Sequence, residues 1–202
     1  RGVAVRCTKR EWCFPVPSQG IDLIVRAFVN PGDCVLVEQS TFFPALQTFR
    51  SADARIIGVP VDEHGMRTDL LDGYCARFRP KLIYTVPTFQ NPTGTTLPPE
   101  RRSELIDVAR RYQCLIVEDD AYGDLWYGGE SSDAHRPIPL KGMENAGYVM
   151  YLSTFSKNRH FGPAHGVWGV ADPHVINRAG GSAAHGRPAY EHVIAAHLPG
   201  TA

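Results

Sequence analysis

Five short runs constrain the fold most: 34–38 (CVLVE), 54–61 (ARIIGVPV), 81–87 (KLIYTVP), 114–119 (CLIVED) and 147–154 (GYVMYLST). Most are near-continuous apolar stretches rather than alternating ones. Side chains leave a strand on alternate faces, so a strand that is apolar at successive positions must be covered on both faces. Helical patterns lie between the runs. Residues 20–29 put Ile21, Ile24, Val25, Phe28 and Val29 on one stripe, and Pro31 and Gly32 stop that helix. Residues 99–112 put Leu105, Val108, Ala109 and Tyr112 on another, with Pro98 and Pro99 at its start. Strands alternating with helices predict an α/β fold: three layers, α/β/α, around a mostly parallel sheet joined by right-handed crossovers. Residues 179–202, with Gly180, Gly181, Gly186, Pro188, Pro199 and Gly200, are expected to form a loose tail.

The remaining composition mainly excludes. The 202 residues carry 21 Lys+Arg and 21 Asp+Glu, so no net charge argues for nucleic acid, and no basic stripe is visible. No apolar run reaches the ~18 residues that a membrane helix requires. The chain opens on Arg1 with no apolar leader, which reads as a fragment or processed chain in the cytoplasm. The five cysteines have no CxxC spacing and read as buried reduced thiols. His185, His192 and His197 cluster without a cysteine or carboxylate at ligand spacing, so no metal site is expected.

Ligands of open α/β sheets bind beyond the carboxyl ends of the strands. The unusual residues of this chain collect there. Phe42 follows the first run, Asn91 the third, Asp119 and Tyr122 the fourth, and Thr154, Ser156 and Lys157 the fifth. Ser18 and Gln19 precede the 20–29 helix, where free N–H groups and the helix dipole favour an anion such as a phosphate. Taken singly, each has a plainer reading: a core phenylalanine, a turn, a solvated acid run, a surface lysine. Together on one rim they suit pyridoxal 5′-phosphate. A lysine amine condenses with its aldehyde, a carboxylate keeps its pyridine nitrogen protonated, and an aromatic ring stacks on its face.

The segments YTVPTFQNPTG, VEDDAYGDL and STFSK, in that order, resemble the large domain of fold-type I aminotransferases of class I/II. They look closest to the MocR-like branch, in which such a domain follows a winged-helix DNA-binding domain. The likeness runs from about residue 18 to 178, so residues 1–178 are expected to be a partial large domain and 179–202 a tail. The resemblance implies Lys157 as the Schiff-base lysine and Asp119, rather than Asp120, as the partner of the pyridine nitrogen. It implies Tyr122 and Asn91 as donors to the phenolic oxygen, and Ser18, Gln19, Thr154 and Ser156 around the phosphate. Phe42 falls where the family usually has a stacking tyrosine. The Asn91-Pro92 bond is expected to be cis, as suits a tight turn. Substrates would be an amino acid and a 2-oxo acid, and a full-length chain would be a homodimer.

Three departures stand out. Pro17 and Val16 occupy serine and glycine slots of the phosphate loop, and the slot of a phosphate-gripping arginine holds Ala164 or His165. The chain also lacks the family's small domain, which carries the arginine for the substrate carboxylate, so alone it is expected not to transaminate. Beside an aminotransferase, the sequence leaves two readings: the effector-sensing domain of a MocR-like regulator, and a decayed remnant. A missing arginine–phosphate pair weakens binding by roughly 10- to 150-fold. Arginine restored singly at Ala164 and at His165 should therefore tighten pyridoxal phosphate binding at one of the two, measured by absorbance titration. No gain at either means that another group holds the phosphate.

Overall fold

Cys34, Leu36, Ile83 and Ile116 leave the central sheet on one side, and Val35, Val37, Leu82, Tyr84 and Val117 on the other. All are buried, which is the double-sided burial expected of the apolar runs. The computed structural model describes residues 5–8, 11–14, 17–126, 137–154 and 167–170. Its strands are β1 (Val5–Thr8), β2 (Glu11–Phe14), β3 (Cys34–Glu38), β4 (Arg55–Val59), β5 (Val61–Asp62), β6 (Gly65–Met66), β7 (Leu82–Thr85), β8 (Leu115–Asp119), β9 (Val149–Thr154) and β10 (Val167–Val170). Its helices are α1 (Pro17–Phe28), α2 (Phe43–Ser51), α3 (Leu71–Phe78), α4 (Pro99–Tyr112) and α5 (Leu140–Met143).

The main sheet runs in the order β1-β2-β10-β9-β8-β7-β3-β4. From β9 to β4 every neighbouring pair is parallel. Strand β10 pairs antiparallel with β9 and β2, and β1 pairs antiparallel with β2. Helices α1 and α2 cover one face through Ile21, Ile24, Val25, Ala45 and Phe49. Helices α3, α4 and α5 cover the other through Leu71, Cys75, Leu105, Ile106, Ala109 and Leu140. This is the three-layer α/β/α arrangement with a mostly parallel sheet.

Several boundaries differ from the sequence expectation. The run 54–61 divides at Pro60, which offers no N–H to a ladder; Arg55–Val59 joins the sheet, and Val61–Asp62 pairs with Gly65–Met66. Helix α1 starts at Pro17, so Ser18 and Gln19 lie in its first turn rather than ahead of it. Proline fits a first turn because its missing N–H has no intrahelical partner there anyway. The loose tail expected at 179–202 lies outside the described residues.

One buried cation ties the helical layer to the strand ends. Arg102 of α4 is only 1% exposed. Its guanidinium donates to the carbonyls of Leu97, Pro87 and Ile138 and to the Thr88 hydroxyl. Glu118 of β8 lies 4.0 Å away and accepts from the backbone N–H groups of Leu140 and Lys141. Removing one partner of a buried pair strands the other charge, at about 3–5 kcal/mol. Arg102→Met should lower the free energy of urea unfolding by that much. A loss under ~1 kcal/mol would show that Glu118 is satisfied without it.

Candidate functional site at the carboxyl rim of the sheet

The chain moves outward from β3 to β4 on one side, then returns to build β7, β8 and β9 on the other. Strand order therefore reverses between β3 and β7, and a crevice opens at their carboxyl ends. Four of the residues singled out from the sequence border it. Phe42, at the N-cap of α2 in extended conformation, is half-buried against the α1/α2 core, whereas Phe43 is 59% exposed. Asn91 follows β7 across an Asn91-Pro92 bond that is cis, as expected. Its side-chain amide donates to the Tyr122 hydroxyl at 3.4 Å. Tyr122 leads into the short turn Gly123–Leu125.

The two aspartates after β8 diverge. Asp119 is partly open to the crevice and accepts a 2.6 Å hydrogen bond from the Tyr84 hydroxyl. Asp120 is 2% exposed. It accepts from the Tyr151 hydroxyl at 2.8 Å, and its carbonyl accepts from Ser153 at 3.0 Å. Gly123 packs against it so closely that a Cβ there would come within 2.3 Å of Asp120 Oδ2. Asp120 thus belongs to the packing of β9, whereas Asp119 is only half-buried.

Burial pushes the Asp119 carboxyl up to about 6, with the Tyr84 hydrogen bond pulling down and the Asp120 charge adding to the rise. Burial, then the neighbouring Asp119 charge, raises the Tyr84 phenol well above its ordinary range, so Tyr84 is a fixed donor. Tyr84 and its bond were not singled out from the sequence. The signal was a phenol inside an apolar run, since a buried Tyr hydroxyl needs a partner.

Beside Asn91 and Tyr122 a cleft of about 470 Å³ is lined by Phe89, Gln90, Pro92, Gly94 and Leu125. Phe89 stacks on Trp126, centroids 5.7 Å apart. Thr154 ends β9, and β9 lies parallel beside β8 with Leu152 opposite Asp119. The strand leading to Lys157 therefore ends next to the one carrying Asp119. Ser156 and Lys157 themselves lie outside the described residues, as do Val16, Ala164 and His165; the side chains of Ser18, Gln19 and Thr154 do too.

An aromatic ring, an amide–phenol pair and a half-buried carboxylate thus lie at the carboxyl ends of a mostly parallel α/β sheet. The family model for aminotransferase class I and II matches residues 12–179, and the chain belongs to that family. It is 41% identical over 167 residues to aromatic-amino-acid aminotransferase 1 of Thermococcus litoralis, spanning 80% of this chain and 38% of that protein. It is 37% identical over 139 residues to the HTH-type transcriptional regulator YisV of Bacillus subtilis, spanning 69% of this chain and 28% of that protein. The crystal structure of a multiple substrate aminotransferase from Thermococcus profundus superposes with a TM-score of 0.75 at 39% identity, over 85% of this chain and 42% of that one. The chain thus spans well under half the length of these relatives. Class I/II aminotransferases of this fold use pyridoxal phosphate. Among the described residues, no helix is long and apolar enough to cross a membrane.

A carboxyl raised from 3.8 to about 6 favours the protonated folded state, so its cost to stability appears as pH climbs between those values. Asp119→Asn removes that titration and keeps an acceptor for Tyr84. Relative to Asp119→Asn, the wild-type chain should lose about 1–2 kcal/mol of unfolding free energy between pH 4.5 and 7. Urea titrations at stepped pH test this, and a flat difference contradicts a raised Asp119.

Proposed function

We propose that the chain is the cofactor-binding part of a pyridoxal-phosphate aminotransferase, which moves an amino group between an amino acid and a 2-oxo acid. The observation that carries this reading is Asp119. It is a half-open carboxylate at the end of β8, held by Tyr84, beside the strand that leads to Lys157. Bound pyridoxal phosphate supplies an aldehyde for covalent attachment and an electron-withdrawing ring.

The residues of the rim suit that group. Asp119, ionised beside a pyridinium, gives a charge-assisted hydrogen bond, and the positive partner reverses the rise in its pKa. Asn91 and Tyr122 present donors from neighbouring loops to one phenolic oxygen. Phe42 offers a ring face but no hydroxyl. Lys157 is assigned to covalent attachment and to moving the substrate's α-proton. Ser18, Gln19, Thr154 and Ser156 are assigned to the phosphate, with first-turn N–H groups of α1 adding to them. The complete protein acts as a cytoplasmic homodimer on this reading.

A second reading is favoured by one observation. Two matches, YisV and YdfD of Bacillus subtilis, are HTH-type transcriptional regulators. The same rim then serves ligand sensing, and DNA contact falls to a domain outside this chain.

Incubation with pyridoxal phosphate, borohydride reduction and peptide mapping should place the label on Lys157. Asp119→Asn should weaken binding about tenfold or more, the worth of one charge-assisted hydrogen bond. A label on another lysine, or none, refutes the assignment.

A further inference from the structure

The two loops that carry Phe42 and Asn91 are joined by a buried clasp. Glu38, the last residue of β3, is 2% exposed, and Gln90, just before Asn91, is 3% exposed. Glu38 Oε1 accepts from the Thr85 hydroxyl at 2.6 Å and from the Val86 N–H at 3.1 Å. Glu38 Oε2 accepts from Gln90 Nε2 at 2.8 Å and from the Thr41 hydroxyl at 3.5 Å. Gln90 Nε2 also donates to the Ser40 carbonyl at 2.5 Å. On its other end, Gln90 Oε1 accepts from the Thr93 N–H at 2.8 Å and the Thr93 hydroxyl at 2.7 Å.

Both hydrogens of the Gln90 amide and both lone pairs of its oxygen are therefore engaged, and the amide has one workable orientation. Turned over, it would aim NH2 at the Thr93 N–H and oxygen at two acceptors. What holds it is Glu38, a group with four donors converging on it and no hydrogen needed in return. A carboxylate accepts all four; a glutamine side chain of the same size cannot. The clasp crosses the point where strand order reverses. One of its ends is two residues from Phe42, and the other braces the 90–94 turn that aims Asn91 at Tyr122.

We propose that Glu38, acting through the Gln90 side-chain amide, is the positioning residue that holds the Phe42 and Asn91 loops in register for the cofactor. The proposal rests on the reading of the site given above. It does not make Glu38 a catalytic residue, since Glu38 reaches the rim only through Gln90.

At pH 8, above the value of about 7 to which burial raises the Glu38 carboxyl, Glu38→Gln isolates the charge from the size. Its new NH2 must face a donor whichever way it turns: toward Gln90 it costs that amide a partner or turns it over, so that Thr93 loses its acceptor, and toward Thr85 and Val86 it costs the Val86 N–H its acceptor. Amide hydrogen exchange of the chain reads this without any cofactor. Exchange over 86–96 should rise about tenfold or more, the loss of one hydrogen bond to a charged group. Exchange over 105–112 and 115–118 should stay within twofold. With pyridoxal phosphate added, Glu38→Gln should raise the dissociation constant about tenfold or more.

A uniform rise in exchange would mean that Glu38 only supports the fold, and overturns the proposal. So does a local rise with unchanged cofactor affinity. If the wild-type chain binds no pyridoxal phosphate, the cofactor reading fails. The exchange pattern then decides alone whether Glu38 positions the turn.

Discussion

Burial of both faces of the parallel strands governs the rest of the molecule. Strands β3, β7 and β8 place apolar side chains alternately into the α1/α2 layer and the α3/α4/α5 layer. A buried polar side chain in the middle of such a strand costs free energy unless it is paired. Polar chemistry is thus driven to the carboxyl ends, where the strands run out into loops. The candidate site occupies that rim for a physical reason as well as by family membership.

The rim itself is held by a few buried acidic side chains, each tied in by different donors. Glu38 is met by hydroxyls, a backbone N–H and an amide. Glu118 is met by two backbone N–H groups with Arg102 nearby, and Asp120 by the Tyr151 hydroxyl. Burial raises the carboxyls of Glu38 and Glu118 to about 7, and the hydrogen bonds around them pull the other way. Asp119 differs, because it has one strong donor and an open side. A carboxylate that is oriented but not fully occupied is suited to meet a ligand.

The matches to enzymes and to transcriptional regulators bear on the same rim. An amino-group carrier and an effector sensor both need the cofactor ring clamped, its nitrogen paired and its phosphate anchored. The difference between them then falls on whatever surrounds this unit. On the cofactor reading proposed above, the departures at Pro17 and at Ala164 or His165 would bear on the phosphate, the part of the ligand that contributes grip more than chemistry.

How far the sequence reached depended on the range of each interaction. The apolar runs specified the parallel sheet and its two covered faces, because strand burial is written locally in the residue pattern. The proline and stripe signals located α1 and α4. Helices α2 and α3 and the antiparallel edge β1-β2-β10 escaped. Helix α2 has nine residues and lacks a capping hydrogen bond from Phe42, and α3 contains Gly73 and ends on left-handed Arg79 rather than on a glycine. The strand-end pattern placed Phe42, Asn91, Asp119 and Tyr122 on one rim. It could not supply the Tyr84–Asp119 bond or the Glu38–Gln90 clasp, whose partners lie 35 and 52 residues apart. Those pairings exist only once the sheet has set distant strand ends side by side, β7 beside β8 for the first and β3 beside β7 for the second. Local pattern determined which segments are buried; only the assembled sheet decided which buried polar groups meet.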